Sequence, residues 1–155
     1  MQISVVGAAE ATEEEYSIAY ETGRFIAQAG ATLVCGGLFG VMEAACRGAR
    51  EAGGRTVGIV PGTDDGNAYL DAVIRTGLGH ARNVLVVQSG DAVIALGGSY
   101  GTLSEIAIAL KAGRRVFGLK TWDIPGVTPC ATAEDAVTGA AAAARERCTG
   151  SGQRS

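Results

Sequence analysis

Glu105 is the side chain whose setting first suggests chemistry, because this carboxylate follows a glycine-rich turn. The stretch Gly97-Gly98-Ser99-Tyr100-Gly101-Thr102-Leu103-Ser104-Glu105 joins an apolar run at 91–96 to another at 106–110, an order that predicts strand, turn and helix. A turn with few bulky side chains lets a ligand approach the backbone, and free N–H groups at a helix start attract an anion. We therefore predict a phosphate site that carries a candidate catalytic carboxylate, with the phosphate-binding residues Gly98, Ser99, Tyr100, Gly101 and Thr102.

A second glycine-rich turn repeats this pattern earlier in the chain. The stretch Gly36-Gly37-Leu38-Phe39-Gly40-Val41-Met42 shares with the first turn the order Gly-Gly-x-aromatic-Gly-x-apolar, and it too follows an apolar run. Ligands of doubly wound sheets bind at the carboxyl ends of the strands, near the point where the strand order reverses. We expect the two turns to line one crevice, which adds Gly36, Gly37 and Gly40 to the candidate phosphate-binding residues.

Neither turn matches a common nucleotide-binding fingerprint. Cys35 stands where G-x-G-x-x-G has its first glycine, and no Gly-Lys-Ser/Thr follows as in a Walker loop. Glu105 also has an interpretation without chemistry, because Thr102-Leu103-Ser104-Glu105 fits a capping box at a helix start. Arg82 fits a solvated helix residue and His80 fits a turn or the rim of a pocket, so the patterns alone leave these roles open.

The composition describes an acidic domain without a metal-binding pattern. The 155 residues carry a net charge of −3 and no basic run, which argues against nucleic acid or an anionic membrane as the partner. We predict a single domain at 1–148 and a disordered tail at 149–155. The four cysteines form no C-x-x-C pair and only one histidine is present, so we expect no metal site. The sequence shows no signal-peptide pattern and no membrane-spanning apolar run, which predicts a cytoplasmic protein.

Apolar runs and helical patterns alternate along the chain. The predicted strands are 2–6, 31–35, 55–60, 91–96 and 115–119, with 70–76 as a strand or a short helix followed by a strand, and 122–129 as irregular. The predicted helices are 12–29, which opens with a capping box at Thr12, a stretch ending near 52, then 80–88, 102–112 and 133–147. This alternation predicts an α/β fold, a Rossmann-like three-layer αβα sandwich with a mostly parallel, doubly wound sheet.

The helix predicted at 102–112 is apolar on nearly every side. Its apolar residues leave almost no polar face before Lys111. A helix of this kind is covered on more than one side. We therefore expect a homodimer or homotetramer in which a second copy covers part of this helix.

At these motifs the sequence resembles a known family. The stretch 97–105 is similar to the motif P-G-G-x-G-T-x-x-E of the cytokinin riboside 5′-monophosphate phosphoribohydrolases, called Lonely Guy or LOG, with Gly97 in place of proline and Ser99 in place of a glycine. The stretch 36–42 resembles the first glycine-rich motif of that family. Gly79-His80-Ala81-Arg82-Asn83 resembles its M-x-x-R-K segment, although methionine and lysine are replaced. The likeness spans about 5–119 and is closer still to short bacterial relatives that include molybdenum-cofactor carrier proteins.

The resemblance implies that Arg82 and Glu105 are catalytic, since the interval of 23 residues between them matches the spacing in the family. It implies hydrolysis of the N-glycosidic bond of a nucleoside 5′-monophosphate to a free base and ribose 5-phosphate, without a cofactor. Glu105 would stabilise the positive charge on the ribose and handle the attacking water, and Arg82 would hold the substrate or balance the carboxylate. The alternative is a non-catalytic carrier of a phosphorylated ligand, such as a nucleotide or the pterin phosphate of molybdenum cofactor. A third interpretation is a structural protein with an empty pocket.

Overall fold

The computed structural model describes residues 1–150, which form seven strands, five α-helices and one 3₁₀-helix. The strands are β1 (Gln2–Gly7), β2 (Thr32–Cys35), β3 (Arg55–Val60), β4 (Ala72–Arg75), β5 (Ala92–Leu96), β6 (Val116–Leu119) and β7 (Val127–Pro129). The α-helices are α1 (Glu13–Gln28), α2 (Val41–Glu51), α3 (Asn83–Ser89), α4 (Tyr100–Lys111) and α5 (Ala133–Gly150), and the 3₁₀-helix (Gly79–Arg82) precedes α3.

The strands form one parallel sheet in the order β4-β3-β2-β1-β5-β6-β7. Helices α1, α2 and α5 pack on one face of this sheet, and α3 and α4 pack on the other. The predicted Rossmann-like sandwich is therefore confirmed, with the sheet parallel throughout. The strand order reverses between β1 and β5, which places the switch point of the sheet there.

Central strands are apolar along their whole length because helices cover both faces of the sheet. In β1, Ile3 and Val5 belong to the core under α1, α2 and α5, whereas Val6 belongs to the core under α3 and α4. In β5, Ile94 faces the first core and Ala95 the second. The loops at the carboxyl ends of these strands therefore follow strands that are packed on both faces.

Two helix starts show how far local patterns predict structure. The capping box of α1 is confirmed: the Glu15 N–H donates to Thr12 Oγ1 at 3.1 Å, and the Thr12 N–H donates to Glu15 Oε2 at 2.9 Å. The predicted capping box at the start of α4 is wrong. Ser99 is the N-cap instead, because its backbone is extended and its Oγ accepts the Thr102 N–H at 3.3 Å. Glu105 consequently lies in the second turn of α4, beyond the reach of a cap.

One other prediction of local structure is wrong. The segment 122–129 is not irregular throughout, because its end forms β7, which pairs in parallel with β6. A strand of three residues is too short to show a period, and Pro129 is tolerated because the strand lies at the edge of the sheet. The helical stretch predicted at 80–88 is confirmed, and it consists of the 3₁₀-helix followed directly by α3. The segment 70–76 contains a strand, β4, without a helix.

The C-terminal helix is longer than its sequence pattern predicts. Helix α5 extends to Gly150 and so includes the first two residues of the tail predicted at 149–155. The remaining residues of that tail, 151–155, lie outside the described residues.

Candidate functional site

The candidate site is a cavity of about 200 Å³ at the carboxyl ends of β1 and β5. The chain leaves these neighbouring strands towards opposite faces of the sheet, and the divergent loops leave a crevice between them. Residues from four segments line it, namely Gly7, Ala8 and Ala9 at the end of β1, Leu38 and Met42 around the α2 start, His80, Arg82 and Asn83, and Ser99, Gly101, Thr102 and Glu105. The structure thus brings Arg82 and Glu105 together, as the resemblance implied.

The turn between β5 and α4 offers backbone donors beside this cavity, whose lining includes Ser99, Gly101 and Thr102 but neither Gly98 nor Tyr100. Within residues 1–150, the N–H groups of Gly98, Ser99, Tyr100 and Gly101 make no hydrogen bond. Gly97 permits the turn, since its φ of +72° is in the left-handed region that favours glycine. Unpaired N–H groups at the start of a helix lie at the positive end of its dipole. This turn therefore has the geometry of an anion-binding site.

Arg82 and Glu105 form a buried ion pair in the cavity wall. Arg82 Nη1 lies 3.7 Å from Glu105 Oε1, and their side chains are 7% and 8% exposed. Burial raises the pKa of Glu105 to about 7, although the nearby Arg82 cation acts in the opposite direction. Burial also lowers the pKa of Arg82. At neutral pH, Glu105 therefore exists both protonated and ionised beside a buried cation, which suits a group that exchanges a proton.

Arg82 is held by neighbours from two other segments. Its Nη2 donates to the Gly36 carbonyl oxygen at 3.3 Å, and its Nη1 donates to Asn83 Oδ1. A Cβ atom at Gly36 would lie 2.7 Å from Nη2 and 2.9 Å from Cζ of Arg82, so a glycine is needed for this approach. The Nε–H of Arg82 is buried and has no partner among the described residues. Since a buried donor without a partner is costly, this group is available to a ligand or a water.

The glycine-rich turn at 36–42 is hydrogen-bonded largely to other parts of the protein. The Gly37 carbonyl accepts the Asn67 N–H at 2.9 Å, and Asn67 Nδ2 donates to the Leu38 carbonyl at 2.8 Å. Gly40 is the N-cap of α2, with φ of +60°. Leu38 lines the cavity, whereas Gly36, Gly37 and Gly40 are not among its lining residues. That these three glycines bind phosphate stays a prediction.

Sequence reasoning missed the loop 7–9 and Asn83 as parts of the site. Only the pairing of β1 with β5 could have indicated the loop, because it lies at the end of the strand beside the switch point. Asn83 Nδ2 donates to Ser104 Oγ at 3.4 Å, and Ser104 Oγ donates to the Gly101 carbonyl at 2.7 Å. Asn83 thereby connects the Arg82 segment to the start of α4. His80 lies exposed at the rim of the cavity, in agreement with one of its two interpretations.

Two kinds of feature are absent from the described residues. Residues 1–150 contain no cluster of three or more histidine, cysteine, aspartate or glutamate side chains placed to hold a metal ion. Over the same residues, no helix combines the length and the apolar character needed to cross a membrane.

A parallel sheet with a ligand crevice at its switch point places the chain among the Rossmann-like α/β proteins. The family model described as "SLOG cluster4 family" matches residues 1–147. The chain therefore belongs to the SLOG cluster4 family, and the resemblance to the LOG superfamily is confirmed.

Several relatives match this chain over most of their length. A protein of Archaeoglobus fulgidus is 52% identical over 139 residues, which cover 88% of this chain and 92% of that protein. The molybdenum cofactor binding protein from the phototrophic bacterium Rippkaea orientalis has 38% identity and a TM-score of 0.83, with 88% of this chain and 92% of that one covered. The Moco carrier protein of Chlamydomonas reinhardtii has 36% identity and a TM-score of 0.81, with coverage of 96% and 97%. The chain is thus related to molybdenum-cofactor carrier proteins.

Proposed function

We propose that this protein binds a phosphorylated small molecule at its switch-point cavity and serves as a carrier of molybdenum cofactor. The observation that supports the phosphate site is the row of four N–H groups at 98–101, at the N-terminal end of α4, which make no hydrogen bond within residues 1–150. A helix adds roughly half a positive charge at this end, so an anion is attracted even though the chain is acidic overall.

Arg82 contributes a buried positive charge beside these donors. Its Nε–H lacks a partner among the described residues, and its ion-pair partner Glu105 has a pKa raised to about 7. When Glu105 is protonated, the Arg82 charge is unbalanced and the cavity favours an anion. When Glu105 is ionised, the pair is neutral and the attraction is weaker. The pair therefore makes phosphate binding depend on pH near neutrality.

The carrier role is supported by the relatives of known structure, whose names state binding or carriage of molybdenum cofactor. The pterin phosphate of that cofactor has the anionic group that the turn at 98–101 suits. To test this role, the protein is purified from cells that make the cofactor, denatured, and assayed for pterin fluorescence and for molybdenum. We expect both in the purified protein. A preparation that contains neither, from cells shown to make the cofactor, would contradict the carrier role.

A second candidate function is hydrolysis of a nucleoside 5′-monophosphate, and the placement of Glu105 in the cavity wall favours it. In this reaction the C1′–N bond breaks as the water oxygen bonds to C1′. The water proton passes to the ionised Glu105, and the base leaves with the bonding electron pair and takes a proton. Arg82, at 3.7 Å from Glu105, balances the charge of the carboxylate. Because the base must be ionised, activity should rise with pH and level off above about 7.

The phosphate site can be tested by removing a single N–H group. Proline is tolerated at the first position of a helix, and the extended Ser99 suits the residue before it, so Tyr100→Pro removes one free donor and keeps α4. Tyr100→Ala is the matched control, since it keeps the N–H. With ribose 5-phosphate as the probe, calorimetry should show Tyr100→Pro binding at least about 10-fold more weakly than Tyr100→Ala. Equal affinities would remove this turn from the phosphate site.

The hydrolase candidate is tested by base release from adenosine, guanosine and cytidine monophosphates. The wild type is compared with Glu105→Gln and Arg82→Ala, and with Glu134→Gln as a control on an exposed carboxylate of α5. Hydrolysis requires that the first two variants lose activity and that the control keeps it. If the wild type releases no base from any of the three nucleotides but binds ribose 5-phosphate, the carrier function stands and the hydrolase candidate fails.

We also propose that a second copy covers the outer face of α3 and α4. Val84 and Leu85 of α3 are 37% and 39% exposed, and Ala107 of α4 is exposed as well. Sedimentation velocity should show the wild type as a dimer or tetramer and Leu85→Glu as a monomer. Gln28→Glu adds the same charge at an exposed site of α1, on the other face of the sheet, and is the control. A wild-type protein that sediments as a monomer would refute this assembly.

A further inference from the structure

The segment after β6 folds back over the glycine turn at 97–99. Lys120 has a φ of +49°, a left-handed conformation that is uncommon for a residue other than glycine. The next two residues both bond to the turn: Thr121 Oγ1 donates to the Gly97 carbonyl at 2.6 Å, and Trp122 Nε1 donates to the Ser99 carbonyl at 3.2 Å. The strained residue thus returns the chain to the turn, and the Trp122 indole is fixed beside the proposed phosphate site.

Tyr100 stacks on this indole and is otherwise open to solvent. The ring centroids of Tyr100 and Trp122 are 6.3 Å apart, and their planes are inclined at 26°. Tyr100 is nevertheless 84% exposed, and its hydroxyl has no hydrogen-bond partner in the described part of the chain. Trp122 therefore contacts only part of the Tyr100 ring, and most of the ring surface is free. A large aromatic ring held in place but left uncovered is a suitable platform for another flat ring.

The position of Tyr100 connects this platform to the phosphate site. Tyr100 is the first residue of α4, and its own N–H is one of the four free donors at 98–101. The same residue therefore presents a donor for a phosphate and a ring surface one side-chain length away. A flat ring joined to its phosphate by one sugar or a short chain can reach both. Stacking accepts many ring systems, because every such ring has a π-face.

We propose that Tyr100, supported by Trp122, is the ring-binding residue of this site. A planar fused heterocycle of the purine or pterin class stacks on the free ring surface of Tyr100 while the N–H groups at 98–101 hold its phosphate. This inference rests on the proposed phosphate site, and it assigns to the Tyr100 side chain a role separate from that of its backbone. The left-handed backbone of Lys120 agrees with this role, because the chain bends at Lys120 and so brings Trp122 into contact with Tyr100.

The test compares ligands with and without a ring. The probes are neopterin monophosphate, guanosine 5′-monophosphate and ribose 5-phosphate, titrated by calorimetry into the wild type, Tyr100→Phe and Tyr100→Ala. Phe39→Ala is the control, because Phe39 is a 55% exposed aromatic residue on the other glycine turn. We expect Tyr100→Ala to bind a ring-bearing probe about 5- to 150-fold more weakly while its affinity for ribose 5-phosphate is unchanged. Tyr100→Phe and Phe39→Ala should bind all three probes like the wild type.

Trp122 provides an independent readout, since it is the single tryptophan of the chain. A ring stacked on Tyr100 should quench its emission, whereas ribose 5-phosphate should not. If ribose 5-phosphate binds the wild type as tightly as both ring-bearing probes, the ring subsite is refuted and the phosphate site stands. The same conclusion follows if the ring-bearing probes bind Tyr100→Ala more tightly than ribose 5-phosphate by the same factor as in the wild type. If Tyr100→Ala changes the oligomeric state and not the affinity, Tyr100 is a contact between copies and the inference is overturned. If no probe binds the wild type, the phosphate site itself fails, and the ring subsite fails with it.

Discussion

Replacing Glu105 by glutamine should change how the folding stability depends on pH. Burial raises the pKa of this carboxyl from an ordinary value of 4.5 to about 7, so the folded protein holds the proton more tightly than the unfolded chain does. As the pH rises from about 4.5 to about 7, the wild type should therefore lose a contribution of roughly 3 kcal/mol to its free energy of unfolding. Glutamine does not titrate, so the variant should lack this loss.

The remaining effects of the substitution cancel when two pH values are compared. Glutamine has nearly the same size as glutamate, and Arg82 keeps its charge over the whole range. Any cost of leaving Arg82 without an anionic partner is then the same at each pH. The free energy of unfolding of Glu105→Gln, relative to that of the wild type, should therefore increase by about 3 kcal/mol between pH 4.5 and pH 8.5.

Urea denaturation followed by circular dichroism at several pH values measures this difference. Glu134→Gln, which removes an exposed carboxylate of α5, should give a curve parallel to that of the wild type. The reasoning is refuted if Glu105→Gln also runs parallel to the wild type, because a carboxyl that is solvated in the folded protein would titrate alike in both states. A relative loss of stability at high pH would mean that Arg82 dominates over burial.

Three further outcomes are expected at the same site. The affinity for ribose 5-phosphate should weaken between pH 6.5 and pH 8.5 in the wild type, relative to Glu105→Gln in parallel titrations, because ionisation of Glu105 neutralises the positive cavity. Ser99→Ala removes the N-cap of α4 and should lower the free energy of unfolding by about 1 kcal/mol in urea, whereas Ser17→Ala on the exposed face of α1 should not. Gly36→Ala places a methyl group against the guanidinium of Arg82, so a crystal structure should show that group displaced, and the affinity for ribose 5-phosphate should fall at least about 10-fold.

The sequence by itself determined the fold class and several local features. Runs that are apolar at every position, alternating with helical patterns, indicate strands covered on both faces and hence a parallel sheet between helices. The capping box at Thr12 was predictable because its two hydrogen bonds join residues three positions apart. The interval between Arg82 and Glu105, interpreted through the family resemblance, also placed both residues in one cavity correctly.

Only the tertiary structure decided how that cavity is built and what charge it carries. The pairing of β1 with β5 brings the loop 7–9 into the cavity wall, and no local pattern contains the order of the strands. The Ser99 cap moves Glu105 into the second turn of α4, where burial and Arg82 set its pKa. The contact between Tyr100 and Trp122 likewise joins two segments separated along the chain. Burial and charge pairing arise from elements that are distant in sequence, and for that reason they depend on packing rather than on any single motif.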